Sequence, residues 1–200
     1  MLAEDINTAL QTSGYLEGKN YEREVLTGLD LDKMEFESAV FTQCRFLECD
    51  FSGCSFYNVT LDTCDFTGSR FGACYFKNTR LLDCRGDGCN FSRGSFLLTA
   101  LEKGSFCYAN FSGSLWDRSK ITESVLRHAF LSEAKFKNLS LDRADLTHTD
   151  FFKTPLKGVD FSTCVIDGIT LSDSYAELRG AKVSAEQAID LAMLLGIQVV

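Results

Sequence analysis

A large apolar residue recurs at every fifth position of this chain, without a break in phase, from Leu16 to Leu171. The run Phe36, Phe41, Phe46, Phe51 and Phe56 makes the pattern plainest. The same frame extends back through Leu31, Leu26 and Tyr21 and forward through Phe76, Phe96, Trp116, Leu131, Phe151 and Phe161. Of 32 in-phase positions only Gly86 lacks a large apolar side chain, and 15 of the 17 phenylalanines fall in the frame. An amphipathic helix repeats its apolar residues at three and four, and a half-buried strand at two. A period of five fits neither. It fits a chain that turns a corner every five residues and sends one large side chain inward from each side.

Two positions before each large residue the side chain is usually small, as at Cys44, Cys49, Cys54, Cys64, Ala109 and Ala129. Eight of the nine cysteines occupy this slot, and Cys107 alone is placed outward. The unit is therefore small–polar–large–polar–polar, as in Cys49-Asp-Phe-Ser-Gly53. Four corners close a square coil of about 20 residues, and about eight coils stacked at ~4.8 Å give a rod of roughly 38 Å. The expected fold is all-β, a right-handed quadrilateral β-helix. Two aromatic ladders are expected inside: Phe36, Phe56, Phe76, Phe96, Trp116 and Phe136, and Phe51, Phe71, Phe91, Phe111 and Phe151.

Such a coil needs closed ends. Residues 1–15 are expected to cap the first coil, with one helical turn over Ile6 to Leu10. Residues 16–175 form the β-helix and residues 176–200 a C-terminal module. There Ser184-Ala-Glu-Gln187 reads as a capping box, followed by a helix to about Leu195, a stop at Gly196 and a short strand over 197–200. Ala188, Leu191, Ala192 and Leu195 make an apolar face, to which Ile197 and Val199 add more apolar surface than a cap requires. A two-fold dimer joined end to end through these residues is expected.

Three places depart from the pattern. Arg85-Gly86-Asp87-Gly88 removes a core rung and predicts a bulge or flexible corner. Leu97, Leu98, Leu115, Phe130 and Phe152 put apolar groups in outward slots, which predicts local shifts of register or, alternatively, a contact surface. Pro155 falls in an outward slot and needs no function.

Little catalytic chemistry is legible. The cysteines lie at multiples of five rather than in zinc-binding pairs, so reduced structural thiols in a cytoplasmic protein are expected. No apolar run approaches the roughly 20 residues that span a bilayer, and the first residues carry no basic, apolar leader pattern. A net charge of −8 argues against direct nucleic-acid binding. His128 and His148 fall one coil apart on the same face, but no third ligand completes a metal geometry. No enzyme, metal or cofactor is expected.

The units Ala109-Asn-Phe-Ser-Gly113 and Ala144-Asp-Leu-Thr-His148 resemble the pentapeptide repeat family. Length, acidity, phenylalanine ladders and the closing 184–196 segment are similar to its Qnr-type and MfpA-type subgroup, which protects DNA gyrase and topoisomerase IV from quinolones or gyrase poisons. That resemblance implies a homodimer that binds a type II topoisomerase by DNA mimicry; a scaffold of the same fold with another protein partner is the alternative. The in-frame loops of many Qnr-type members are missing here, which places the chain nearer the loopless members. Charge summed over the outward slots of each face, starting with that of Leu16, is +1, −2, −2 and −2. No face is an acidic stripe. The candidate partner-binding carboxylates are Asp30, Asp32, Glu35, Glu37, Glu48, Asp50, Asp62 and Asp65 in the N-terminal third, and Asp142, Asp145, Asp150 and Asp160 toward the C-terminal joint.

Overall fold

The computed structural model describes residues 1–194 and 196–199. The chain winds as a right-handed quadrilateral β-helix. Three-residue strands stack in parallel with a register of twenty, so that Leu16 lies over Phe36 and Tyr21 over Phe41. The first face carries seven strands, from Tyr15–Glu17 to Lys135–Lys137, and the second carries seven, from Asn20–Glu22 to Ser140–Asp142. The third face begins with two strands, Val25–Thr27 and Arg45–Leu47, and continues as single β-bridges from Asp65 to Val165. The fourth is held by bridges throughout, from Asp30↔Asp50 to Asp150↔Thr170.

The five-residue unit explains both kinds of side. Where the chain forms a bridge rather than a strand, the corner closes on itself as a β-turn: Cys54 N donates to Phe51 O at 3.0 Å across Gly53, whose φ is +69°. A positive φ at the third turn residue marks type II geometry. Glycine is not obligatory there, because Tyr108, Glu133 and His148 hold the same place in such turns at φ of 58°, 57° and 57°.

Inside, the large residues stack rung upon rung. Phe36, Phe56, Phe76 and Phe96 lie 4.9–5.0 Å apart with rings within 6° of parallel, and Trp116 continues the column 4.1 Å from Phe96. Phe51, Phe71, Phe91 and Phe111 form the second column at 4.7–4.9 Å. The small slot points inward beside them. Most of its hydrogen-bonding members donate to the carbonyl 23 positions earlier: Ser69 Oγ to Phe46 O at 2.8 Å, Cys54 Sγ to Leu31 O at 2.9 Å, Thr149 Oγ1 to Leu126 O at 2.8 Å. This is why Cys, Ser and Thr interchange there. Burial pushes the Cys54 and Cys89 thiols up to about 12, leaving them protonated and unreactive.

Gly86 produces no bulge. Gly86 N still donates to Ser105 O at 2.8 Å, and Cys89 N to Gly86 O at 3.2 Å. The Phe106 ring fills the missing rung: a Cβ on Gly86 would meet it at 2.8 Å, and one on Gly104 would meet it at 2.7 Å. Two glycines thus frame one phenylalanine, and the coil keeps its register.

Pro155 has a larger effect than its outward slot suggests. Ala134 N is stitched to Thr154 Oγ1, and Arg143 N to Thr163 Oγ1. Between those points no ladder or bridge joins 135–142 to 155–162 among the described residues. One rung below, Lys135 N donates to Ser114 O; proline in the next rung has no N–H to repeat that bond. Residues 155–162 instead pair onward with the closing segment, through Leu156 N to Glu177 O, Gly158 N to Gly180 O and Phe161 N to Lys182 O. The winding therefore carries a seam on two faces. Phe136, Leu139 and Leu141, beside it, are only half-buried.

The ends differ. Helix α1 (Leu2–Gln11) is longer than the single turn expected and packs Leu2, Ile6 and Ala9 onto the first coil. At the other end a 3₁₀ turn (Ala176–Leu178) precedes helix α2 (Ala185–Leu194). The capping box forms as read: Gln187 N donates to Ser184 Oγ and Ser184 N to Gln187 Oε1. The expected final strand does not form: Ile197, Gln198 and Val199 are irregular, with no neighbouring strand edge paired to them, and Val200 lies outside the described residues. No helix in the described chain is long and apolar enough to cross a membrane.

Candidate partner-binding surface

The twelve candidate carboxylates spread over all four faces. Glu35 and Glu37 lie on the first face, and Asp62, Asp142 and Asp160 on or in line with the second. Asp65 and Asp145 lie on the third, with Glu48 at the corner after it, and Asp30, Asp32, Asp50 and Asp150 on or beside the fourth.

Half of them have a local structural task. An aspartate just before the large residue of a turn accepts the N–H two positions on: Asp50 Oδ1 from Ser52 N at 2.9 Å, Asp65 from Thr67 N at 3.0 Å, Asp150 from Phe152 N at 2.8 Å. Asp30, Asp145 and Asp160 do the same for Asp32, Thr147 and Ser162. Asn90 and Asn110 do it without charge. These are Asx turns, and they account for Asp or Asn at that slot wherever the corner closes as a turn. The hydrogen bonds of Ser162 hold the Asp160 carboxyl below the usual carboxylate range. For Asp50 and Asp145, burial raises the carboxyl, but the turn hydrogen bonds with Arg70 and Arg127 outweigh it and bring it down.

Others are paired or bonded. Arg70 meets Asp50 at 2.7 Å, Arg127 meets Asp145 at 2.6 Å, Lys33 meets Asp32 at 2.6 Å and Arg143 meets Asp142 at 3.2 Å. Thr63 donates to Asp62 and Tyr15 to Glu37. Such exposed pairs contribute about 0–1 kcal/mol each, but they lower the charge offered to a partner. Among the described residues Glu48 and Asp65 enter no ion pair.

The outward apolar residues are exposed without any shift of register. Ser95 pairs with Leu115 and Leu97 with Asp117 in the common ladder, and Phe130 bridges Asn110 and Asp150. Leu98, Leu115, Phe130 and Phe152 are 45%, 42%, 46% and 39% exposed. Register adjustment therefore does not account for these residues.

One corner carries an aromatic column on the outside. Tyr108 stacks on His128 at 4.8 Å with rings 2° from parallel, and His128 stacks on His148 at 4.9 Å. The histidine alignment follows from the 20-residue repeat. Tyr108 is a member that the sequence reading omits, although its spacing from His128 is the same 20. Among the described residues no three His, Cys, Asp or Glu side chains converge to hold a metal ion.

At the C-terminus, Ala188 is exposed, while Leu191 and Ala192 are half-buried, Leu191 against the core. Leu195 lies outside the described residues. Ile197 and Val199 are exposed, as are Ile189, Met193 and Leu194, which the sequence reading does not include. The i, i+4 spacing of Ile189 and Met193 is the signal that could have found them.

The pentapeptide repeat region model matches residues 54–131, and the model for eight-copy pentapeptide repeats matches residues 25–58 and 131–168. No curated protein matches the sequence. Among solved structures, full-length QnrB1, a plasmid-mediated fluoroquinolone resistance protein, is 19% identical with a TM-score of 0.46, over 91% of this chain and 100% of that one. HetL, a pentapeptide repeat protein involved in heterocyst differentiation regulation from the cyanobacterium Nostoc, is 17% identical with a TM-score of 0.32, over 90% and 95%. A pentapeptide repeat protein of the Arabidopsis thaliana thylakoid lumen is 14% identical with a TM-score of 0.18, over 70% of each chain. At these identities and scores the likeness carries no argument about a partner. The repeat models, the five-residue register and the inward ladders agree, and the chain belongs to the pentapeptide repeat family.

Proposed function

We propose that this protein is a non-enzymatic, dimeric binding protein that occupies the DNA-binding region of a bacterial type II topoisomerase, DNA gyrase or topoisomerase IV, as a DNA mimic, and so protects it from quinolones or other poisons. The observation that carries this reading is a net charge of −8 on a rod whose C-terminal helix buries none of its residues. Two copies joined through Ile189, Leu191, Ala192, Met193 and Ile197 make a longer acidic rod on a two-fold axis, matching a two-fold enzyme. Leu195, on the same helical face by sequence, belongs to this proposed joint, as do Ala188 and Val199. The protein works in the cytoplasm in this reading.

A second reading, a scaffold for a different protein partner, is favoured by the distribution of charge. Duplex DNA carries a charge about every 1.7 Å of its axis, whereas half of the candidate carboxylates here are engaged in turns. A gyrase supercoiling assay, run with ciprofloxacin or a peptide poison and with or without the purified protein, separates the two. Protection or inhibition at micromolar protein supports the topoisomerase reading. Neither effect at that level leaves the scaffold.

A further inference from the structure

The corner that carries Tyr108, His128 and His148 is open at one end. Side chains on these corners lean toward the next rung: Glu48 Cγ lies 3.2 Å from where a Cβ of Gly68 would sit, and the His148 ring lies 2.4 Å from that of Gly168. The column is therefore closed at its C-terminal end, where His148 covers Gly168. At its other end the next residue is Gly88, and a Cβ there would meet nothing within 4 Å. Among the described residues no second aromatic ring and no cation stacks on Tyr108, and Tyr108 is 59% exposed.

Glycine at position 88 is not demanded by the backbone. Its φ is +67°, and arginine, glutamate, tyrosine and histidine occupy equivalent corners at φ near 55°. The result is a notch. Gly88 is its floor, the Tyr108 ring one wall, and Glu48, folded over Gly68, the other. Two rungs separate Gly68 from Tyr108, about 10 Å, enough for one planar group between ring and carboxylate.

Charge decides which planar group. Around the notch lie Glu48, Asp50, Asp65 and Asp87 against Arg45, Arg70 and Arg85, with Arg45 one rung before Asp65 on the third face. Arg70 is engaged with Asp50, and Arg85 with Asp87. Asp87 is further held by Ser105 Oγ at 2.6 Å and Cys107 N at 2.8 Å. Among the described residues neither Glu48 nor Asp65 has a cation within ion-pair distance. We infer that this notch receives an arginine side chain of a partner protein, the guanidinium stacked on Tyr108 and paired with Glu48. Arginine suits it because its plane is weakly hydrated, stacks on aromatic faces and presents a fork to a carboxylate; lysine's compact ammonium does not. The inference does not depend on which protein is the partner.

The test uses N-acetyl-arginine amide as probe and the isotopically labelled full chain in NMR titrations, beside the matching lysine and phenylalanine amides. The expected result is a saturable shift of the Gly88 amide and the Tyr108 ring protons with the arginine probe, at an affinity about fivefold above the lysine probe. Gly88→Tyr, at a corner that already accepts tyrosine at position 108, fills the notch and abolishes the shifts. Tyr108→Ala abolishes the preference for arginine, and Glu48→Gln weakens binding of the arginine probe. Equal shifts with the lysine or phenylalanine probe overturn the inference, as does an unchanged response in folded Gly88→Tyr.

Discussion

Helix α1 and helix α2 are each ten residues long and sit at opposite ends of the same coil, yet only one of them acts as a lid. In α1, Leu2 and Ile6 are wholly buried on the first coil, and Asp5 accepts a hydrogen bond from Tyr21 at 2.8 Å. In α2 no residue is buried, although Gln187 ties the helix down through Phe161 O at 2.8 Å and Cys164 O at 2.7 Å. The difference lies in what closes the last coil. Residues 177–182 supply the final rung, and the buried Glu177 carboxylate gathers Lys153 N, Ser172 N and Ser172 Oγ. The C-terminal lid is thus a short 3₁₀ segment plugged by one carboxylate. The helix beyond it is tied down by Gln187 and Leu191 but leaves Ile189, Met193 and Leu194 exposed, and the proposed joint rests on these side chains.

The sharpest break of this comparison is a charge in each helix. Ile6→Asp buries a carboxylate against the first coil and is expected to lower stability by about 3 kcal/mol or more, read as a large drop in the denaturant midpoint. Met193→Asp, at an exposed position of the same helix, should instead leave the midpoint of the coil nearly unchanged while light scattering shows a monomer. A dimeric mass in that variant removes the proposed joint.

Glu177→Ala removes the acceptor of three part-buried donors and is expected to cost about 1–3 kcal/mol, with Glu177→Gln milder because an amide oxygen still accepts. The pH dependence follows the same contacts. Burial alone would raise the Glu177 carboxyl, but its hydrogen bonds with backbone and Ser172 outweigh that and hold it below the usual range. A carboxyl depressed in the folded state adds stability at neutral pH and loses it as pH falls toward and through that lowered value. Wild type should therefore lose stability on acidification more steeply than Glu177→Gln. Equal slopes would show that the Asx-turn carboxylates carry the whole effect.

The smallest effect concerns the seam below that lid. Pro155→Ser restores the N–H that this rung lacks and is expected to gain at most about 1 kcal/mol, with slower amide exchange at Asn138 and Ser140. Unchanged exchange would mean that the closing segment, rather than the proline, holds the two coils apart.

Much of this molecule was legible at five-residue resolution. The inward frame from Leu16 to Leu171, the small slot that holds Cys44 through Cys89, the stacked phenylalanines and the Ser184–Gln187 capping box all follow from spacing alone. That is because each of these residues meets a copy of its own environment one coil away. Gly86 reads as a defect because sequence cannot show a ring 20 residues ahead leaning into the vacancy, as Phe106 does. The seam was hidden for a similar reason: the N–H that Pro155 lacks would be missed one rung back, at Ala134, and nothing in the local sequence marks that neighbour.

The surface was the least legible part. An aspartate fixed in a turn and an aspartate offered to a partner are the same letter, and only the hydrogen bonds of Asp50, Asp65 and Asp150 on one hand, and the unpaired position of Glu48 on the other, tell them apart. By itself the sequence determined the winding, because a period in one dimension dictates which side chains must be buried. The tertiary structure alone decided which polar groups are already satisfied, which end is closed and which aromatic face is left open, because those depend on neighbours that lie a whole coil away.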